Sequence, residues 1–332
     1  MFDRKLRDVT LGARDAEREQ IGVACANDES VEIAGAQLAN ATGIENAREQ
    51  CVPENAPVIC DICPHACRLR EGQRGRCKAR VARGGRVVDE NYGRITSIAL
   101  DPIEKKPLAR FRPGSQILSV GSYGCNLSCP FCQNASIAAV GADASSWRDV
   151  TPEELVAEAV RARARGNVGI AFTYNEPLVS FEYVRDTARL AHEAGLVNVL
   201  VTNDMVNPGP LAELLPLVDA ANVDLKGFSQ DFYDFVGGDF ETVRTTIQAM
   251  ATCETCHAEV TTLIVPGMND SEEEIDALSA WLASIDPEIP YHVSRFFPCH
   301  RLTDRGPTPV STVYRLADVA RRHLRHVYTG NC

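Results

Sequence analysis

The chain has 332 residues, 45% of them hydrophobic and 24% charged, with a formal net charge of −11. That composition is ordinary for a globular protein with one large core and a small appendage, and the acidic balance excludes a general nucleic-acid binder, which needs a basic face. No apolar run reaches the roughly 20 residues of a bilayer-spanning helix, and the N-terminal MFDRKLRDVTLGARDAEREQ lacks the apolar centre of a signal peptide, so the expectation is a cytoplasmic protein with no membrane partner.

Residues 1–56 are rich in Ala, Glu, Asn and Asp without a sustained hydrophobic period. They read as an extension, partly helical or disordered, with no chemistry of its own. Residues 57–115 read as a small strand-containing module, with short β-branched runs broken by Gly and Pro, as in RVVDENYGRITSIALDPIEKKPL. It carries CDICPHACRLREGQRGRC, in which Cys60, Cys63, Cys67 and Cys77 are separated by two, three and nine residues. The 13 cysteines of the chain cluster at short spacings, which in a reducing compartment points to metal rather than to disulfides. Four thiolates suit structural zinc and equally a fully ligated second 4Fe–4S cluster; the spacing does not separate them. His65, among them, reads as a turn residue.

Residues 116–332 alternate short apolar strands with amphipathic helices. QILSV precedes TPEELVAEAVRARARG, VGIAF precedes LVSFEYVRDTARLAHEAG, and VNVLV precedes PGPLAELLPL. ANVDL is followed by a helix near 242–252, EVTTLIV by SEEEIDALSAWLASI, and YHVSRF by a helix near 311–324. Thr151 and Glu154 have the spacing of a capping box with Pro152 at the first helical position, and Ser271 and Glu274 repeat the box. Gly166 and Gly195 stand where helices end. Six strand–helix units with nearly continuous apolar strands predict a parallel sheet covered on both faces. Six are too few for an eightfold barrel, so the expected fold is α/β, a partial (β/α)6 TIM-like barrel, with a flat doubly wound sheet as the alternative. Either architecture puts ligands at the C-terminal strand ends.

The first of those ends carries GSYGCNLSCPFCQN, with Cys125, Cys129 and Cys132 in one tight loop. A 4Fe–4S cube is normally held by four thiolates, so three from one loop would leave one iron open for a substrate or cofactor. A zinc site completed by a distant Cys or His, or plain free thiols, uses the same residues. The spacing CxxxCxxC, with Phe131 just before the last cysteine, resembles the radical S-adenosylmethionine (radical SAM) superfamily. The resemblance implies that SAM chelates the open iron through its amino and carboxylate groups. It further implies that an electron from the cluster breaks the sulfonium bond to release a 5′-deoxyadenosyl radical, with Phe131 beside the cofactors.

The later loops extend the likeness. TYNEPLVSF, after the second strand, supplies Asn175 and Glu176 where similar proteins meet the SAM amino group. VTNDMVNPG supplies Thr202 and Asn203 for ribose or carboxylate oxygens, with Asp204 where the family usually has Gly. NVDLKG sets Asp224 and Lys226 two apart, hence on one side of an extended strand, and the resemblance puts Lys226 against the SAM carboxylate. VPGMND supplies Pro266, Gly267, Asn269 and Asp270, read equally as a loop and helix start. His292 and Arg295 on the sixth strand are candidates to point inward, His292 equally as a structural histidine. From Cys60 to Asn331, ending with RFFPCHRLTDRGPTP, the chain resembles the radical SAM enzyme of the AmmeMemoRadiSam system, related to pyruvate formate-lyase activating enzymes. The implied function is hydrogen abstraction from an unidentified substrate, with a glycyl-radical-enzyme activase as one form, and an electron donor such as a flavodoxin or ferredoxin as partner. The rival class is a non-catalytic iron–sulfur or zinc protein, an electron carrier or assembly scaffold. CETCH at Cys253–His257 matches haem c attachment spacing by chance in a chain without an export signal, and the basic residues Arg321 to His326 complement the end of the last helix.

Overall fold

The computed structural model describes residues 56–332, so the extension expected over residues 1–56 lies, save its last residue, outside the described part. Strands β1 (Ser97–Pro102), β2 (Gln116–Gly121), β3 (Asn167–Phe172), β4 (Val197–Thr202), β5 (Ala220–Asp224), β6 (His257–Ile264), β7 (Tyr291–Arg295) and β8 (Val327–Gly330) form one eight-stranded sheet in that order. β1 is antiparallel to β2, and every other neighbouring pair is parallel. Helices α1 (Pro152–Arg161), α2 (Phe181–Glu193), α3 (Pro208–Leu214), α4 (Gln230–Val236), α5 (Phe240–Ala251), α6 (Glu272–Ile285) and α7 (Val310–Ala320) supply the crossovers.

Strand order repeats chain order without a reversal. Each right-handed crossover therefore steps the same way and lays its helix on the same face. A doubly wound sheet needs a switch point where the order turns back, and the described sheet has none. The fold is thus the partial barrel, with six strand–helix units as expected. Two further strands were not expected: β8, only four residues long, and β1, which lies in the stretch assigned to the small module. The expected boundary at residues 115 and 116 falls just before β2, which is hydrogen-bonded to β1.

The strand period of two sorts the core into layers. Leu118, Ile170, Leu200 and Ala221 belong to the layer shared with the helices, together with Leu155 and Val184. Their chain neighbours Ile117, Ala171, Val199 and Ala220 form a separate inner layer with Ile103 and Leu108, and Phe111 packs on it. The small side chains of Ala171 and Ala220 leave room inside the arc, and the Ile103–Phe111 segment fills it. Ile103 and Leu108 are fully buried, each worth about 2 kcal/mol of burial. The segment is anchored by Glu259 of β6, which accepts from the backbone N–H groups of Ala109 (2.9 Å) and Arg110 (2.8 Å) and from Nε2–H of His257 (3.0 Å) and His292 (2.6 Å). Burial opposes ionisation there, but these donors outweigh it and hold the Glu259 carboxyl down at about 2. His292 thus takes the structural role.

Two helix starts were expected to carry capping boxes. Thr151 forms the full box, its hydroxyl accepting from Glu154 N–H and the Glu154 carboxylate accepting from Thr151 N–H. Ser271 accepts from Glu274 N–H (3.1 Å), but the Glu274 carboxylate turns away to Phe228 N–H (2.7 Å). That box is half made, because a carboxylate reaching another element does more for the fold than one folded back on its own helix.

The four-cysteine segment is built on two short hairpins, Val58–Ile59 with Arg68–Leu69 and Arg80–Arg83 with Arg86–Asp89. Arg80, almost fully buried, clamps both oxygens of Glu182 at 2.7 Å, and Ser180 donates to Asp89 (2.6 Å). Both bonds tie the segment to the start of α2.

Candidate active site at the three-cysteine loop

The loop from Gly121 to Asn134 leaves the C-terminal end of β2, as expected. Gly124 has φ +87°, and a Cβ there would sit 2.4 Å from the Cys77 carbonyl oxygen. Only glycine permits that close passage of the four-cysteine segment. The loop is held from several sides. Ser128 N–H donates to Val236 O (2.8 Å). From beyond β7, Arg301 and Leu302 N–H donate to Pro130 O (2.8 and 3.1 Å), and the Cys299 thiol donates to Phe131 O (3.0 Å). Phe131 is buried against Phe232 and Phe235, at ring separations of 6.2 and 6.3 Å. The Cys125 sulfur accepts from Leu127 N–H (3.4 Å) and Asn203 Nδ2 (3.5 Å). Burial pushes the Cys129 thiol up to about 11 and that of Cys125 well above its usual range.

Cys125, Cys129 and Cys132 are shared by two adjoining cavities. The inner one, of about 280 Å³, is the mouth of the barrel. Its wall includes Phe131 and all six residues singled out on later strands: Asn175, Glu176, Thr202, Asn203, Asp224 and Lys226. The outer cavity, of about 320 Å³, is rimmed by Arg76, Lys78, His300 and Arg301.

Hydrogen bonds knit the inner wall across strands. Asn175 accepts from Ser122 N–H (2.9 Å) and donates to Tyr123 O (3.2 Å) and Gly124 O (3.0 Å), tying the β3 loop to the cysteine loop. Glu176 accepts from Leu178 N–H (3.0 Å), Thr202 hydroxyl (2.7 Å) and Asn203 N–H (2.8 Å). Burial nevertheless pushes its carboxyl up to about 7. Glu176 and Thr202 therefore brace β3 to β4 and have little hydrogen-bonding capacity left for a ligand. Asn203 bridges Cys125 and the Asn126 side chain (3.0 Å). Lys226 Nζ pairs with Asp224 at 2.7 Å, both on one side of the strand end. Burial would lower the Lys226 ammonium, but Asp224 and the sulfur of Cys129 hold it above its usual range. Asn269 donates to the Lys226 and Leu263 carbonyls (2.9 Å each) and so fixes the backbone of the Asp224–Lys226 turn.

Other singled-out residues stay away from the cleft. Arg295 turns to Thr308 O (2.7 Å) and the Phe297 ring. Asp270 accepts from Gly267 N–H (2.9 Å) in an ordinary loop. Cys253 and Cys256 lie between α5 and β6, and the basic end of the last helix is met by Asp276, Asp318 and Glu288. His65 donates from Nε2–H to the Asn126 backbone carbonyl (2.8 Å).

Three residues of the site were not singled out for the part they play. Tyr174 lines the cleft with φ +72° and bonds Asp101 (2.9 Å), which also holds the buried Lys106 (2.9 Å). A tyrosine in the left-handed region is a strained backbone, and nothing in its sequence signals it. Asn126 donates to Met205 O (2.7 Å) beside the cysteines. Asp204 is fully buried at φ +57°, and neither carboxylate oxygen has a partner among the described residues; glycine is the residue that conformation favours.

Comparison with known proteins gives the chain its family. Residues 119–282 match the family model described as the Radical SAM superfamily. The uncharacterized protein MJ0808 of Methanocaldococcus jannaschii is 39% identical over 282 residues, covering 82% of this chain and 81% of that protein. The pyruvate formate-lyase 1-activating enzyme of Escherichia coli is 24% identical over 179 residues, 51% of this chain and 71% of the enzyme. Among solved structures, Streptococcus suis SuiB bound to S-adenosylmethionine superposes with a TM-score of 0.50 at 14% identity, over 65% of this chain and 52% of SuiB. That likeness is one of fold.

Proposed function

This chain belongs to the radical SAM superfamily, and from that premise we propose that its cleft removes a hydrogen atom from a substrate carbon. A 4Fe–4S cluster with bound SAM supplies a 5′-deoxyadenosyl radical for this step. One observation carries the proposal: three thiols from one loop and the loops after β3, β4 and β5 converge on a single 280 Å³ cleft at the C-terminal strand ends. The residues fit the group. Cys125, Cys129 and Cys132 offer three ligands and leave space on the cleft side, where a fourth ligand from SAM has room.

Asp224 and Lys226 form a pair of opposite charges at the cleft wall. Such a pair matches an amino-acid zwitterion, ammonium toward Asp224 and carboxylate toward Lys226. Glu176, Thr202 and Asn175 act at one remove. They keep the strand ends in register, so that the thiols and the charged pair face one another. The likeness to pyruvate formate-lyase 1-activating enzyme supports a protein glycine as the substrate, that is, an activase role. The basic rim of Arg76, Lys78 and Arg301 around the outer cavity supports an acidic electron donor such as a flavodoxin or ferredoxin approaching the cysteines from that side. The four-cysteine segment adds a second metal site.

The test is anaerobic reconstitution with iron and sulfide, followed by reduction in the presence of SAM. The expected product is 5′-deoxyadenosine, abolished in Cys129→Ala. Deoxyadenosine formed equally by that variant would refute the ligand assignment and with it the proposal.

A further inference from the structure

Cys60, Cys63, Cys67 and Cys77 all line one small cavity of about 10 Å³. Cys60, Cys63 and Cys77 are buried and Cys67 is half-buried, and all four are free thiols. Backbone N–H groups already point at the sulfurs: those of Ile62 at Cys60, His65 at Cys63, and Ala79 and Arg80 at Cys77. Arg76 N–H lies 3.5 Å from the Cys67 sulfur. The side chains of Arg76 and Arg80 line the same cavity and supply positive charge against four thiolates. This is a built metal site, and its dimensions bear on the metal.

A zinc ion holds its sulfurs at about 2.3 Å, which places four tetrahedral sulfurs about 3.8 Å apart, close to van der Waals contact. No space for a body the size of water remains inside such a shell. Here the cavity that all four cysteines line has room for about one water-sized body. A shell with room for such a body inside it is what the ligands of a cube leave. From these dimensions we infer that Cys60, Cys63, Cys67 and Cys77 hold a second 4Fe–4S cluster and not a zinc ion.

Its position gives it a role, and that role rests on the radical SAM reading above. The Cys77 carbonyl lies against Gly124, one residue before Cys125. Asn126, one residue after Cys125, lines the four-cysteine cavity and meets His65 through its carbonyl. Only a single thickness of backbone separates the two cysteine sets. One electron from a low-potential donor protein takes the second cluster from its 2+ to its 1+ state. Passing that electron on returns it to 2+ while the three-cysteine site goes from 2+ to 1+, and no atom is transferred.

The experiment compares wild-type protein with Cys125→Ala/Cys129→Ala/Cys132→Ala, both purified without oxygen from cells supplied with iron and zinc. Iron, sulfide and zinc are counted per chain, and Mössbauer spectra are recorded. The triple variant is expected to keep roughly four irons and four sulfides and to lack zinc. About one zinc with little iron overturns the inference, as does an iron count near two. Should the triple variant precipitate, the wild-type protein decides: roughly eight irons without zinc supports a second cube, and roughly four irons with one zinc refutes it. The two readings fail separately. If SAM leaves the wild-type spectrum unchanged while the triple variant retains its iron, the radical SAM reading falls and the second cluster stands.

Discussion

Replacing Glu259 by glutamine should loosen the packing inside the barrel arc, and its cost follows from four hydrogen bonds. The carboxylate is fully buried and accepts from Ala109 N–H, Arg110 N–H, His257 and His292. Its carboxyl is held at about 2 against an ordinary 4.5, a preference for the charged form worth about 3 kcal/mol. The amide introduced by Glu259→Gln would keep one acceptor oxygen and turn an NH₂ toward groups that are themselves donors, so the expected loss is about 2–4 kcal/mol. For a chain of this size that is a fall in Tm of roughly 3–6 °C. The sign of the pH dependence is fixed by the direction of the shift. A depressed carboxyl contributes its full stability above the unfolded value of about 4.5 and loses it as pH falls toward 2. The difference between wild-type and Glu259→Gln should therefore be constant from pH 8 to 5 and shrink between pH 4.5 and 2.5. Differential scanning fluorimetry across that range, with hydrogen exchange at the Ala109 and Arg110 amides, reads both effects. Equal stability at pH 7, or a gap that stays constant down to pH 2.5, would refute the reasoning.

Two further variants probe buried charge. Arg80→Ala removes a guanidinium that clamps Glu182 with two 2.7 Å bonds. The expected cost is about 3 kcal/mol in urea unfolding, with faster trypsin cleavage between residues 68 and 94; an unchanged midpoint contradicts it. Asp204→Gly should raise stability by about 1–3 kcal/mol, because it relieves a left-handed residue and a buried carboxyl whose oxygens have no partner among the described residues. Burial, with Glu176 and Asp224 nearby, drives that carboxyl well above its usual range. The wild-type penalty thus grows as pH rises above about 4, and the gain from Asp204→Gly should be larger at pH 8 than at pH 4. A loss of Tm at pH 8 would show that Asp204 has a partner in the folded protein.

Much of the site is legible locally. The cysteine loop announces itself by spacing and by its place after a β-branched strand, and the two-residue interval of Asp224 and Lys226 fixes their common side. The strand–helix alternation gives the barrel because apolar period and capping act over a few residues. What the sequence hides depends on distant partners. Nothing in IEKKPLARF marks it as filler for the barrel interior, since its anchor, Glu259, lies 150 residues away from Ala109. Glu274 has the spacing of a capping box, yet Phe228, 46 residues distant, takes its carboxylate. Glu176 looks like a ligand for an ammonium, and nothing in its neighbourhood announces that Thr202 and Asn203 also bond to it. β8 is too short for its pattern to stand out from a loop.

The segment that fills the arc also governs traffic. Ile103, Leu108 and Glu259 are sealed from solvent, so the filled arc closes off the side of the sheet away from the mouth. Whatever is spent at the cysteines then leaves on their side of the sheet, through the mouth or the outer cavity beside it. Arrival and departure then share one face of the molecule, and lingering product should slow the next arrival more than it slows the chemistry.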